Sequence, residues 1–259
     1  AGAAAAARGV LLGHNEDSGI TDFGRTSWIV GTPSDGTPAY AAYTYAGQLS
    51  SGAFAFNAHG VFFTTNALFP TAATIDTARG VPRDFLHRHI LAATSVDDAV
   101  ARACGTRVGS GFSLNVGAFN GTDAYNVELS PTTCTKQAVT AAYVHANNYQ
   151  HSPGVASYND TSAWHRTQRA AQLPTPRDVQ GVFTILGDQG DRAWPIYRDH
   201  TPPDDGITII TALFDSAART LTLYPNNPLS SPPFASFTWP DYLTVADPLR
   251  PHAREAGDL

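Results

Sequence analysis

The order in which strand-like and helix-like segments follow one another is what most restricts this chain. Apolar, aromatic and β-branched runs at 3–7, 10–13, 27–30, 40–45, 53–56 and 61–65 read as strands. Asn57-Ala58-His59-Gly60 supplies a hairpin turn between the last two. Helical spacing then takes over at 83–93, followed by a second helix from Ser95 to Ala103, where Ser95 and Asp98 form a capping box. Strands return at 112–116, 124–129 and 138–144, and helices at 162–173 and 176–186, the latter with Thr175 before Pro176 as a start signal. A last hairpin is expected from 207–214 and 220–224, and a proline-rich extended tail from about residue 225. Strands and helices come in blocks and do not alternate, which argues against a doubly wound parallel sheet. Two antiparallel sheets with helices packed outside, an α+β layered fold, use these elements well.

Composition narrows the class further. The 259 residues carry 16 basic and 22 acidic side chains, a formal charge of −6, and are 42% hydrophobic. Such a chain has ample apolar surface to bury. The basic residues are scattered, which speaks against a nucleic-acid surface. No apolar run approaches the ~20 residues of a membrane helix, so no membrane partner is expected. The two cysteines, Cys104 and Cys134, cannot build a disulfide framework and leave a single pairing open. The absence of methionine implies that the start at Ala1 arises by processing or cleavage.

Familiar sites are missing. There is no Gly-x-Ser-x-Gly elbow and no Gly-rich loop ending in Lys-Ser/Thr. His87 and His89 stand two apart on a helix and face different ways, a poor metal pair. Gly13-His14-Asn15-Glu16-Asp17 stands out, because four polar residues directly follow an apolar strand. On spacing alone Asp17 is either a turn cap or part of a site. Asn66 and Asn147 at strand ends are either caps or donors lining a pocket. Arg166 and Arg169, one turn apart, are ordinarily a solvated helix face.

Taken together these blocks resemble the penicillin acyltransferase-like N-terminal-nucleophile (Ntn) hydrolases, the group of isopenicillin N acyltransferase and hydrolases of β-alanyl amines. The resemblance runs from about Leu11 to Tyr224. It is carried by Gly13 to Asp17, Phe56-Asn57-Ala58-His59-Gly60, Asn66-Ala67-Leu68, Gly80-Val81-Pro82, Glu128-Leu129-Ser130-Pro131, Val144-His145-Ala146-Asn147 and Trp164-His165-Arg166-Thr167-Gln168-Arg169. It implies a four-layer αββα sandwich, with residues 1–259 as one domain.

The resemblance also implies the chemistry. A precursor cuts itself so that a cysteine becomes the first residue. Its thiol attacks an amide carbonyl while its own α-amine accepts the proton. That position is Ala1 here, which implies an inactivated variant of an amide hydrolase or acyltransferase acting on a small N-acyl substrate. The alternative is a naturally non-catalytic relative that binds an amide or acyl ligand. Asp17 would hold the α-ammonium, Asn147 would donate to the oxyanion, Asn66 would add a donor or orient the amine, and Arg166 would lower the thiol pKa. His14, Ser130, Phe56, Phe63 and Tyr149 are the expected substrate-binding residues, with walls from 54–63, 149–150 and 194–197. A conventional serine hydrolase using Ser130 and a histidine is a further rival. No metal or organic cofactor is expected. The partners implied are a small-molecule amide and the chain's own cleaved propeptide, and the expected location is the cytoplasm.

Overall fold

The computed structural model describes residues 9–49 and 52–243, and the backbone of residues 2–6. In chain order the strands are β1 (Gly2–Ala6), β2 (Gly9–Gly19), β3 (Thr26–Gly31), β4 (Tyr40–Tyr45), β5 (Phe54–Asn57) and β6 (Val61–Leu68). Helices α1 (Arg83–Ile90) and α2 (Val96–Gly105) follow. Then come β7 (Gly111–Ala118), β8 (Tyr125–Ser130), β9 (Thr133–Ala138) and β10 (Tyr143–Val144). The chain continues through α3 (Thr161–Gln172), α4 (Val179–Leu186), β11 (Gly206–Asp215), β12 (Thr220–Tyr224) and β13 (Ala235–Thr238).

The strands form two antiparallel sheets, ordered β10-β1-β2-β11-β12-β13 and β3-β4-β5-β6-β7-β8-β9. Phe54, Phe56 and Phe62 of the second sheet, with Phe119 in the turn after β7, meet Leu12, Phe214 and Leu221 of the first in the core between them. On the far side of the seven-stranded sheet, Ala55, Phe63, Leu114 and Val127 pack against Leu86, Ile90 and Val100 of α1 and α2. On the far side of the other sheet, Leu11 and Leu213 pack against Val182, Phe183 and Leu186 of α4. This is the four-layer αββα sandwich. It explains why β4 to β6 read as unbroken apolar runs: both faces of these strands are covered.

The local signals have visible causes. Asn57 builds the β5–β6 hairpin, its Oδ1 accepting from the backbone of His59 and Val61 and its Nδ2 donating to the carbonyls of Leu91 and Ala93. Gly60 completes that turn with φ of +82°. Ser95 caps α2, accepting from the Asp98 amide as its spacing predicts.

Several expectations need correction. The segment 138–144 is not one strand: β9 ends at Ala138 and the chain crosses to the other sheet before β10. The last helix is capped by Asp178, whose side chain accepts from the Gly181 amide, and so begins later than Thr175-Pro176 suggests. The tail is not simply wrapped chain, because β13 pairs with β12. Cys134 lies in β9, and it is joined to Cys104 of α2 by a disulfide, the single pairing that the sequence left open. Ala1 lies outside the described residues.

Candidate active site

β2 is the strand that organises the site, and its alternation assigns each polar residue of 13–17 a separate task. Gly13 sits under α4: a Cβ there would stand 2.5 Å from Leu186 Cδ1 and 2.5 Å from Val182 Cγ1. Asn15 ties the same region together. Its Nδ2 donates to the carbonyls of Leu186 (2.8 Å) and Ile196 (3.2 Å), and its Oδ1 accepts from Thr211 Oγ1 (2.7 Å). Asp17, two residues on along the same face, reaches the cleft. On the opposite face, buried Glu16 accepts from the Tyr45 hydroxyl and meets His14 Nε2 at 2.8 Å.

Asp17 is held by β11. Its Oδ1 accepts from Thr208 Oγ1 at 2.7 Å, and that oxygen in turn accepts from the Arg198 amide at 2.9 Å. The register between β2 and β11 shifts at this point, pairing Thr208 with Asp17 and Ile210 with Glu16. Such a bulge re-aims side chains next to a site. Burial pushes the Asp17 carboxyl above its ordinary value, against the opposing pull of Arg198 and Arg166. Arg198 is clamped by Asp204, and Gly206 leaves room for its guanidinium. Burial lowers the pKa of Arg166, with Asp17 acting the other way. Burial also raises the Tyr197 hydroxyl, to about 12, with Asp17 adding to it.

Asn147 follows β10. Its Oδ1 accepts from Arg166 Nη2 (2.9 Å) and its Nδ2 donates to the Ala67 carbonyl (2.9 Å). Arg166 is itself fixed by Ser162 Oγ, one helical turn earlier, at 3.0 Å. An amide nitrogen carries two hydrogens, so one N–H of Asn147 remains for a ligand. Asn66 of β6 is nine-tenths buried, and its Oδ1 has no hydrogen-bond partner.

These residues surround one cleft of about 430 Å³. His14, Asp17, Asn66, Asn147 and Arg166 all line it, with Glu16, Tyr45, Phe69, Arg83, Asp160 and Arg198. A smaller void beside it, about 30 Å³, is lined by Asn15, Asp17, Asn66, Arg166 and the segment Val144–Ala146. The backbone of β1 starts next to this void, Gly2 pairing with both Gly13 and Val144. Among the described residues no group of three or more His, Cys, Asp or Glu could hold a metal ion. None of their helices is long and apolar enough to cross a membrane.

Residues 5–230 match the family described as acyl-coenzyme A:6-aminopenicillanic acid acyl-transferase. The chain belongs to this family. Among curated proteins the acyl-transferase family member is similar to the β-alanyl-dopamine/carcinine hydrolase of Drosophila melanogaster, 27% identical over 248 residues. That alignment covers 86% of this chain and 63% of the relative, so the chain spans under two thirds of its length. Among solved structures it resembles two variants of the conjugated bile acid hydrolase of Clostridium perfringens. Their TM-scores are 0.55 and 0.54 at 12% and 11% identity, covering 92% of each chain. At that identity the likeness shows the fold alone, the four-layer sandwich described above.

Not every expected residue of this family member reaches the cleft. Phe56 and Phe63 lie on adjacent strands where Phe56 pairs with Phe62 and Ala55 with Phe63, so the two rings face opposite layers. Phe56 fills the core between the sheets and Phe63 packs under the helices, and neither lines the cleft. Tyr149 instead donates its hydroxyl to the Leu129 carbonyl at 3.0 Å. Ser130 is buried at the end of β8, its Oγ accepting from the Thr132 amide, which is a turn role and offers nothing to the serine-hydrolase rival. The walls come from Tyr45, Gln48, Phe69 and Arg83, and not mainly from 54–63. Sequence reasoning missed Glu16, Tyr45, Thr208 and Arg198. The one available signal was Glu16, a carboxyl placed within the singled-out polar run.

Proposed function

We propose that this fold serves an amide hydrolase or acyltransferase of the N-terminal-nucleophile type, with position 1 as the seat of the nucleophile. The observation that carries the reading is the convergence of Asp17, Asn66, Asn147 and Arg166, from four separate parts of the chain, on the cleft beside the start of β1. With cysteine at position 1, its sulfur bonds to the carbonyl carbon of a small N-acyl amine. The thiol proton passes to the α-amine and then to the leaving nitrogen as the C–N bond breaks. Water, or a second amine, then bonds to the carbonyl carbon of the thioester, its proton passing through the α-amine to the sulfur as the C–S bond breaks. Asp17 steadies the α-ammonium. The spare N–H of Asn147 meets the oxyanion, an interaction whose loss costs about 10²–10³ in kcat. With Ala1 in that place the chain has no thiol there and turns nothing over. The name of the Drosophila relative supports β-alanyl amines as substrates, and residues 1–259 as one unit suit this reading. The chain's own cleaved propeptide remains a candidate partner. The Cys104–Cys134 disulfide supports an oxidising compartment over the cytoplasm.

The test is the Ala1→Cys variant, released from a cleavable N-terminal fusion and incubated with β-alanyl amides of aromatic amines and of histamine. Free amine by chromatography, and an acyl adduct by intact mass, are the expected results. A folded variant that gives no free amine and no adduct would sink the proposal and leave ligand binding as the function.

A further inference from the structure

We infer that Glu128 is a positioning residue for Asn147, holding closed the loop that presents the oxyanion donor; this rests on the role proposed for Asn147. Glu128 belongs to β8 of the seven-stranded sheet, whereas the segment carrying Asn147 leaves β10 of the other sheet. Its Oε1 accepts from His145 Nε2 at 3.2 Å and from the Gln150 amide at 2.6 Å. Its Oε2 accepts from the His151 amide at 2.9 Å. One carboxylate thus grips the chain on both sides of Asn147, two residues before it and three and four after. The span between becomes a closed loop from which Asn147 lines the cleft.

The choice of side chain fits this task. Glu128 and His145 side chains are 0% exposed. Burying a carboxylate is costly unless it is fully hydrogen-bonded, and an apolar residue would pack there at lower cost. Only a carboxylate offers two acceptor oxygens to three converging donors. Further ties run the same way. Tyr149 crosses to Leu129, passing Gly111, where a Cβ would stand 2.4 Å from the Tyr149 hydroxyl. Ser152 Oγ donates to Thr135 Oγ1 at 2.9 Å. The loop is therefore sewn to the seven-stranded sheet along its length, and Glu128 holds both ends of the stretch that matters. A misplacement of about 1 Å at a catalytic group can cost on the order of a hundredfold in rate.

The experiment is a double-mutant cycle in the Ala1→Cys background. E128Q keeps the size of the side chain but turns an N–H toward one of its donors. The expected result is a fall in kcat of about 10- to 100-fold with KM within about twofold. In the N147A background E128Q is expected to change kcat by less than about twofold, since the group it positions is already gone. Equal losses in both backgrounds, an unchanged kcat, or a change in KM alone would overturn the inference. If E128Q does not fold, E128D, which withdraws both oxygens by a methylene, takes its place under the same criteria. If Ala1→Cys itself is inactive, the functional reading fails separately. Amide exchange of residues 145–151 in the Ala1 protein then decides the clasp: faster exchange confined to that stretch in E128Q supports it, and unchanged exchange refutes it.

Discussion

Replacing Asn15 by alanine tests the structural half of the 13–17 run without any need for activity. The substitution removes donors to two carbonyls and the acceptor of the Thr211 hydroxyl, all in a place where Asn15 is only 7% exposed. A net hydrogen bond is worth roughly 1 kcal/mol, so three give about 3 kcal/mol, or about a hundredfold in the folding constant. The Leu186 carbonyl belongs to the last turn of α4, where no intrahelical donor follows, so its loss is not repaired locally. Asn15→Asp should be worse than Asn15→Ala. It keeps the acceptor for Thr211 but turns a second oxygen toward the carbonyls of Leu186 and Ile196. Guanidinium unfolding followed by tryptophan fluorescence measures both, with the m-value unchanged if only stability moves. A loss below about 1 kcal/mol for Asn15→Ala, or an aspartate milder than the alanine, would refute the assignment.

Other outcomes are equally open to measurement. Gly13→Ala should destabilise by about 1–3 kcal/mol through overpacking against Leu186 and Val182, and a neutral result in the same unfolding assay would contradict the close approach of α4. The disulfide closes a separation of 30 residues, for which loop entropy gives roughly 3–4 kcal/mol; the midpoint should fall on reduction, and two thiols free to alkylation without reductant would dispose of the bond. Burial disfavours the charged Glu128, but its hydrogen bonds with His145 and the two amides outweigh this and hold its carboxyl below the ordinary 4.5. A depressed folded pKa contributes stability that is present above 4.5 and is lost as pH falls through the folded value, so the stability gap between the parent protein and E128Q should close in acid. A gap that widens on acidification would reverse that sign. Asp17 shows the opposite case: burial raises its pKa, so its ionisation weakens the fold as pH rises. Asp17→Asn should therefore raise the melting temperature at neutral pH while removing activity from the Ala1→Cys form, and a lower melting temperature would contradict the burial cost.

Two antiparallel sheets with helices outside were legible because strands and helices arrive in blocks, and the four-layer sandwich itself came from the family resemblance. Tyr40–Tyr45, buried throughout, and Thr220–Tyr224, which alternates, could both be bounded to the residue. The full reach of β2 was harder to see, since a strand that runs through His14, Asn15, Glu16 and Asp17 has the composition of a turn. Its pairing with β11, about 190 residues later, is what keeps the chain extended through those groups. Asp17, Asn66, Asn147 and Arg166, which line one cleft, were singled out by resemblance, because no local pattern brings them together. Phe56 and Phe63 were misplaced for a simple reason: aromatic residues in strands fill cores, and which side of a sheet a ring takes depends on register. Arg198 and Thr208 carry no local signal, as their task is set by a bulge opposite Asp17.

The division of labour along β2 bears on how lineages of this fold can drift. Gly13 and Asn15 answer to the packing of α4, and Asp17 answers to the cleft. A descendant that abandons chemistry still loses stability if it changes either of the first two. It is freed only at the third, where neutralising a buried charge relaxes the structure. The glycine and asparagine of this run are thus markers of architecture that outlive the reaction. Drift at Asp17, set against constancy at Gly13 and Asn15, is the trace that a lost activity would leave among the descendants of an enzyme.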